Sequence, residues 1–198
     1  MRVKEETMAI LKQLDVGNKL ASSLPVLHRA SVLTPLTVKN GRLFTLMTLR
    51  SRELRTSAGE VCFPGRGTPV MRSVYRLLMT WCGLLVTPVV GFIDESFSPR
   101  PNPAEVSAVF TVPLDFFTRD KDHSSSHGVA GMRGFLHSFY FVDPDSGRQF
   151  HIWGLTATFA ILVAVLALRT TPEFDVGFDP EDPLSFFQQM LLSRTSKL

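Results

Sequence analysis

Residues 50–65 read RSRELRTSAGEVCFPG. The stretch gathers arginine, serine and glycine and ends on Phe63, Pro64 and Gly65. Arg50 and Arg55 carry planar guanidinium forks that match phosphate oxygens. Gly59 and Gly65 permit tight backbone turns. Such a loop suits an anionic ligand; the alternative is a pair of solvated arginines. The adjoining span is as telling. From 61 to 93, thirty-three residues, there is no Asp or Glu, while Arg66, Arg72 and Arg76 fall inside the span.

Upstream, residues 31–38 (SVLTPLTV) and 42–49 (RLFTLMTL) read as two strands joined by Asn40-Gly41, a strong hairpin signal. Residues 5–14 suit a short helix. Downstream, 84–94 is a further strand candidate. Pro88 assigns it to an edge or a bulge unless local pairing spares its nitrogen. A short turn or helix is expected over 113–117 and a mobile polar loop over 118–134. Two strands are expected at 135–142 and 148–153 around the turn at 143–147. Residues 155–168 are apolar on nearly every side, as in a helix packed inside a layered domain. A short amphipathic helix is expected over 183–192.

The acid-free span has a pattern of its own. Thr68 suits an N-cap and Pro69 the first helical position. Val70, Val74, Leu77, Leu78 and Trp81 recur at one face of an α-helix, and Gly83 can close it. The spacing predicts a helix over 69–82; the alternative is an alternatively spliced or frame-shifted segment whose helical pattern is accidental.

The chain has 198 residues, enough for one domain with a sizeable core. Its net charge of +3 is too small and too scattered to argue for nucleic acid, but it suits an anionic ligand. Two cysteines give no disulfide framework and point to a reducing compartment. The first residues mix acids with bases and lack the apolar run of a signal peptide. Residues 77–93 and 152–168 are each uncharged for 17 residues, short for a membrane span, and are read as core elements. Ser196, Lys197 and Leu198 read as the peroxisomal address that an import receptor recognises.

Four segments together resemble the peroxisomal coenzyme A diphosphatases of the Nudix hydrolases. They are the 50–65 stretch, LVTPVVGFID at 85–94, PNPAEVSAVFTVPL at 101–114, and IWGLTA at 152–157. The resemblance implies an α/β/α Nudix-like sandwich with a mixed sheet. It implies hydrolysis of coenzyme A or acyl-CoA to 3′,5′-ADP and 4′-phosphopantetheine or its acyl form, with Mg²⁺ or Mn²⁺. Members of the family continue after the 50–65 stretch into an acidic helix that holds the metal. Here that helix is missing, or is replaced by residues 69–82. The expected organisation is an N-terminal helical extension over 1–23, a Nudix-like domain over 24–172, and a tail over 173–198.

By the same resemblance, Glu105 is the surviving candidate catalytic acid, and a turn-capping role is the alternative. Arg50, Ser51, Arg55, Phe63 and Gly65 are the candidate substrate-binding residues. No metal ligand is assigned. His123 and His127, in HSSSH, read as loop histidines, and Cys62 as a packed strand residue. Hydrolysis of a pyrophosphate needs an activated water and neutralised phosphoryl oxygens, work that carboxylate-held cations perform. An impaired enzyme that still takes coenzyme A is therefore expected. An active diphosphatase and an unstable, non-functional isoform are the alternatives.

Overall fold

The computed structural model describes residues 2–13, 28–64, 74–76, 79–81, 84–127, 135–183 and 185. In chain order the elements are α1 (Arg2–Gln13), β1 (His28–Lys39), β2 (Arg42–Arg50), β3 (Val61–Cys62), β4 (Val74–Arg76), β5 (Met79–Trp81), β6 (Leu84–Phe92), β7 (Val106–Pro113), a 3₁₀ turn (Leu114–Thr118), β8 (His123–His127), β9 (Phe135–Val142), β10 (Gln149–Trp153) and α2 (Gly154–Leu168).

Asn40 and Gly41 both take positive φ, 49° and 73°. That is the geometry of a two-residue hairpin whose twist matches its strands. The turn sets the register, with Lys39 opposite Arg42 and Leu36 opposite Thr45. Beyond that pairing β2 is shared. β7 runs antiparallel along it from Phe44 to Arg50, and β3 pairs at Thr48 and Leu49. On its other side β1 pairs in parallel with β6, from His28 opposite Leu84 to Leu36 opposite Phe92. The result is a mixed seven-stranded sheet, as expected of the fold class.

β8, β9 and β10 form a second, antiparallel sheet. Its residues alternate. His137, Phe139, Phe141, Phe150 and Ile152 point to the core, while Tyr140, Val142 and Trp153 are exposed. Phe110 of β7 stacks on Phe150 with ring centroids 3.7 Å apart and planes 7° apart, joining the two sheets. α2 fills the remaining space. Every residue from 157 to 167 is buried, which is why its sequence is apolar all round rather than striped. It ends at Arg169, which adopts the left-handed conformation (φ 50°) and donates its N–H to the Val165 carbonyl. Leu11 of α1 is fully buried in the same core. No helix among the described residues is long and apolar enough to cross a membrane.

Two expectations are corrected. The helix over 69–82 does not form where the span is described: 74–76 and 79–81 are strands, each antiparallel to β6. β6 would otherwise present an unpaired row of N–H and C=O groups, and two short strands satisfy it. Val74, Tyr75, Thr80 and Trp81 also favour strands. Pro88 falls between the two partners, since β5 covers 84–86 and β4 covers 89–91. The second correction concerns the mobile loop over 118–134. Residues 123–127 form β8, in register with β9 from His123 opposite Phe139 to His127 opposite Phe135.

Candidate functional site

The 50–65 stretch leaves β2 at a register shift between Leu49 and Arg50, where β7 no longer pairs evenly. Residues 51–60 then turn back to β3. Arg50 closes this loop on itself. Its backbone N–H donates to the Glu60 carbonyl (3.0 Å), its Nε to the Ser57 carbonyl (3.0 Å) and its Nη2 to the Thr56 carbonyl (3.1 Å). Ser57 and Gly59 make the turn possible, at φ 50° and 72°. Ser51 is buried, and its hydroxyl accepts the Glu53 N–H (3.2 Å).

A second segment braces the first. The Ser51 N–H donates to the Glu105 carbonyl (2.8 Å), and the Ser107 hydroxyl reaches the Leu49 carbonyl (3.3 Å). The structure therefore brings Arg50, Ser51 and Glu105 together through the backbone. The Glu105 side chain is exposed, and its own N–H is held by the Asn102 carbonyl (2.9 Å). Arg55 is exposed on the loop. Phe63 is buried in the core cluster beside Val61, so it anchors the end of the loop. Thr156, at the start of α2, donates to the Val61 carbonyl (3.3 Å), and Thr48 donates to the Cys62 carbonyl (3.1 Å). Cys62 is a strand residue, as expected. Gly65, Ser196, Lys197 and Leu198 lie outside the described residues.

The arrangement offers donors and a fixed loop but no cation site among the described residues. A hard divalent cation requires several oxygen ligands at once. No group of three or more His, Cys, Asp or Glu side chains among the described residues is placed to hold a metal. These residues therefore do not fit Mg²⁺ or Mn²⁺. A cleft of about 310 Å³ lies beside the end of β6, lined in part by Lys39, Asp94, Glu95, Asp143 and Asp145. Lys39 donates to the Thr111 hydroxyl (3.1 Å). Four acids against one lysine make this cleft unfavourable for a pyrophosphate.

A histidine pair also emerges. His123 Nε2 lies 3.0 Å from His137 Nδ1, and His137 Nε2 lies 3.4 Å from the Val176 carbonyl. Burial, aided by the charge of His123, pushes His137 down to about 4. Burial also lowers His123, against the pull of Asp120. The expectation of loop histidines thus fails for both, since His123 and His127 lie in β8, and the His123 side chain is only 3% exposed. Periodicity could not have found the pair, because it forms across strands.

No protein-family model matches the chain. Individual proteins do. A peroxisomal coenzyme A diphosphatase of Mus musculus is 33% identical, covering 97% of this chain and 92% of its own length. Nudix hydrolase 22 of Arabidopsis thaliana, a chloroplastic protein, is 31% identical over 68% of this chain and 53% of its own length. A peroxisomal coenzyme A diphosphatase of Caenorhabditis elegans is 26% identical over 68% of this chain and 66% of its own length. The alignment to the mouse protein spans 218 positions, so at least 20 of them face gaps in this 198-residue chain. With a mixed α/β architecture and a relative matched almost end to end, the chain belongs to the Nudix hydrolase family.

Proposed function

We propose that this chain is a coenzyme A diphosphatase-type protein that retains the ligand-facing loop of its family and has impaired metal-dependent hydrolysis. One observation carries the reading: no carboxylate side chain stands between Glu60 and Asp94, directly after the stretch that carries the family resemblance. The alignment to the mouse relative is at least 20 positions longer than this chain, as a lost segment somewhere in it would make it. Arg66, Arg72 and Arg76 add positive charge in the span, which repels a cation. On this reading Arg55 and the loop amides meet the phosphates of coenzyme A or acyl-CoA. Arg50 and Ser51 shape that loop, Phe63 anchors its end, and Glu105 is the remaining acid beside it; Gly65 keeps its place among the proposed substrate-binding residues.

The proposed compartment is the peroxisome, entered through the import receptor by Ser196-Lys197-Leu198. Two of the relatives are named peroxisomal, whereas others are named chloroplastic or mitochondrial.

Purified chain incubated with coenzyme A and Mg²⁺ or Mn²⁺ tests the reading, with 3′,5′-ADP measured by chromatography. The expected result is turnover far below the usual enzyme range of ~1–10³ per second, together with a measurable heat of coenzyme A binding. Turnover within that range overturns the impairment. Absence of binding heat in a cooperatively folded chain overturns the retained loop.

A further inference from the structure

We propose that the outer face of the small sheet carries a seat for the adenine base of coenzyme A, stacked on Trp153 above Ser138. The proposal rests on the reading of the 50–65 stretch as a phosphate-facing loop, and it assigns the part of the ligand that the loop does not touch.

β9 and β10 set four outward side chains at the corners of a grid. Tyr140 stands opposite His151, and Ser138 stands opposite Trp153. Three corners carry rings. Tyr140 and His151 stack with centroids 4.6 Å apart and planes 6° apart, and the Trp153 plane lies within 14° of His151 at 6.2 Å. The fourth corner carries only the Ser138 hydroxyl, which lies 2.6 Å from His151 Nε2. That contact turns Ser138 toward His151 and fixes the plane of the imidazole.

The grid favours one more flat ring. Tyr140 and His151 face each other across the strands, so a Trp153 plane parallel to theirs faces across the strands as well, toward Ser138. Cross-strand neighbours sit about 4.5–5.5 Å apart, which is how Tyr140 covers His151. One step along the strands, the same spacing gives a planar ring room to lie on Trp153 over the small serine. Trp153 is 40% exposed and Tyr140 45%. Aligned planes suit a nucleobase, because every base offers a flat π-face to stack. No carboxylate or ammonium group stands at the four corners, so an uncharged base meets no unpaired charge there.

The seat is also placed beside the loop. Trp153 ends β10 and is the N-cap residue of α2. Three residues further on, Thr156 donates to the Val61 carbonyl (3.3 Å), where the loop returns to β3. Three residues of chain span at most about 11 Å. That is comparable with the reach of a nucleotide from its base to its phosphates.

Calorimetry of the full chain with two probes tests the seat. 3′,5′-ADP carries the base and 4′-phosphopantetheine does not. Trp153→Ala is expected to weaken 3′,5′-ADP by roughly five- to hundredfold and to leave 4′-phosphopantetheine unchanged. Trp153→Phe, which keeps a ring, is expected to recover most of the loss. Ser138→Tyr, which puts a fourth ring in the grid, is expected to exclude the base, and it decides if Trp153→Ala does not fold. Equal weakening of both probes in the variants, or of neither, overturns the seat. So does a concentration-dependent dimer in sedimentation that Trp153→Ala abolishes while 3′,5′-ADP affinity stays the same, since the face then serves a second copy. A native chain that binds neither probe nor coenzyme A removes the loop reading and the seat with it. Coenzyme A binding that is equal with and without Trp153 removes the seat alone.

Discussion

The Ser51 N–H donates to the Glu105 carbonyl oxygen over 2.8 Å, so the segment at 102–106 sets the entry to the loop at 51–60. Arg50 closes the far side through the Ser57 and Thr56 carbonyls. The guanidinium works here as a bracket for backbone oxygens, which Lys cannot copy with a single ammonium. Arg50→Ala is expected to loosen the loop and weaken coenzyme A binding by about 1 kcal/mol, roughly fivefold in Kd. Calorimetry reads the affinity, and exchange at 56–60 reads the loop. Lower affinity without faster exchange would assign Arg50 to direct ligand contact instead.

The metal prediction rests on the donor set. A cation that binds only the folded chain raises its stability by about 2.7 kcal/mol at a hundredfold excess over Kd, which for a chain of this size is about 5–11 °C in Tm. Mg²⁺ and Mn²⁺ are each expected to leave Tm unchanged, because no group of ligands is assembled among the described residues. Thermal melts with and without each ion settle the point, and a rise of several degrees would locate a cation site that the carboxylate pattern does not reveal.

Phe110 joins the two sheets through its stack on Phe150 and a second contact with Phe141 at 6.1 Å. Its removal leaves a cavity between the two sheets. Phe110→Ala is expected to cost about 3–5 kcal/mol. Urea unfolding monitored by tryptophan fluorescence measures it. A loss under about 1 kcal/mol would mean that the sheets pack independently of this ring.

Local signals were legible wherever one residue pair or one long run decides the backbone. Asn40-Gly41 places the hairpin, and the apolar run at 155–168 places α2 within one residue of its observed start. The span at 69–82 misleads, because apolar residues at helical offsets there are also strand formers. The deciding term is the open edge of β6, which is not local. β8 is hidden for a related reason: HSSSH has no strand signature, and only pairing with β9 makes it a strand. The loop at 50–65 was legible as chemistry but not as geometry. Nothing in the order of its residues says that Arg50 bonds its own loop while Phe63 turns into the core.

Acid should destabilise the whole fold through His137. Its imidazole titrates near 6.5 in the unfolded chain, and burial first, then the neighbouring His123 charge, lowers it to about 4 in the folded one. Between those values the unfolded chain binds the proton and the folded chain does not, so stability falls as pH falls. The contribution is fully present above pH 6.5 and is lost as pH approaches 4. A shift of this size corresponds to about 3 kcal/mol, or about 6–12 °C in Tm for a chain of this length. Burial lowers His123 as well, which acts in the same direction. Melts monitored by circular dichroism at pH 7 and pH 4 check the loss, with His137→Gln as the comparison. The variant should lose clearly less than the native chain over that interval, and an equal loss in both would assign the acid sensitivity to other groups.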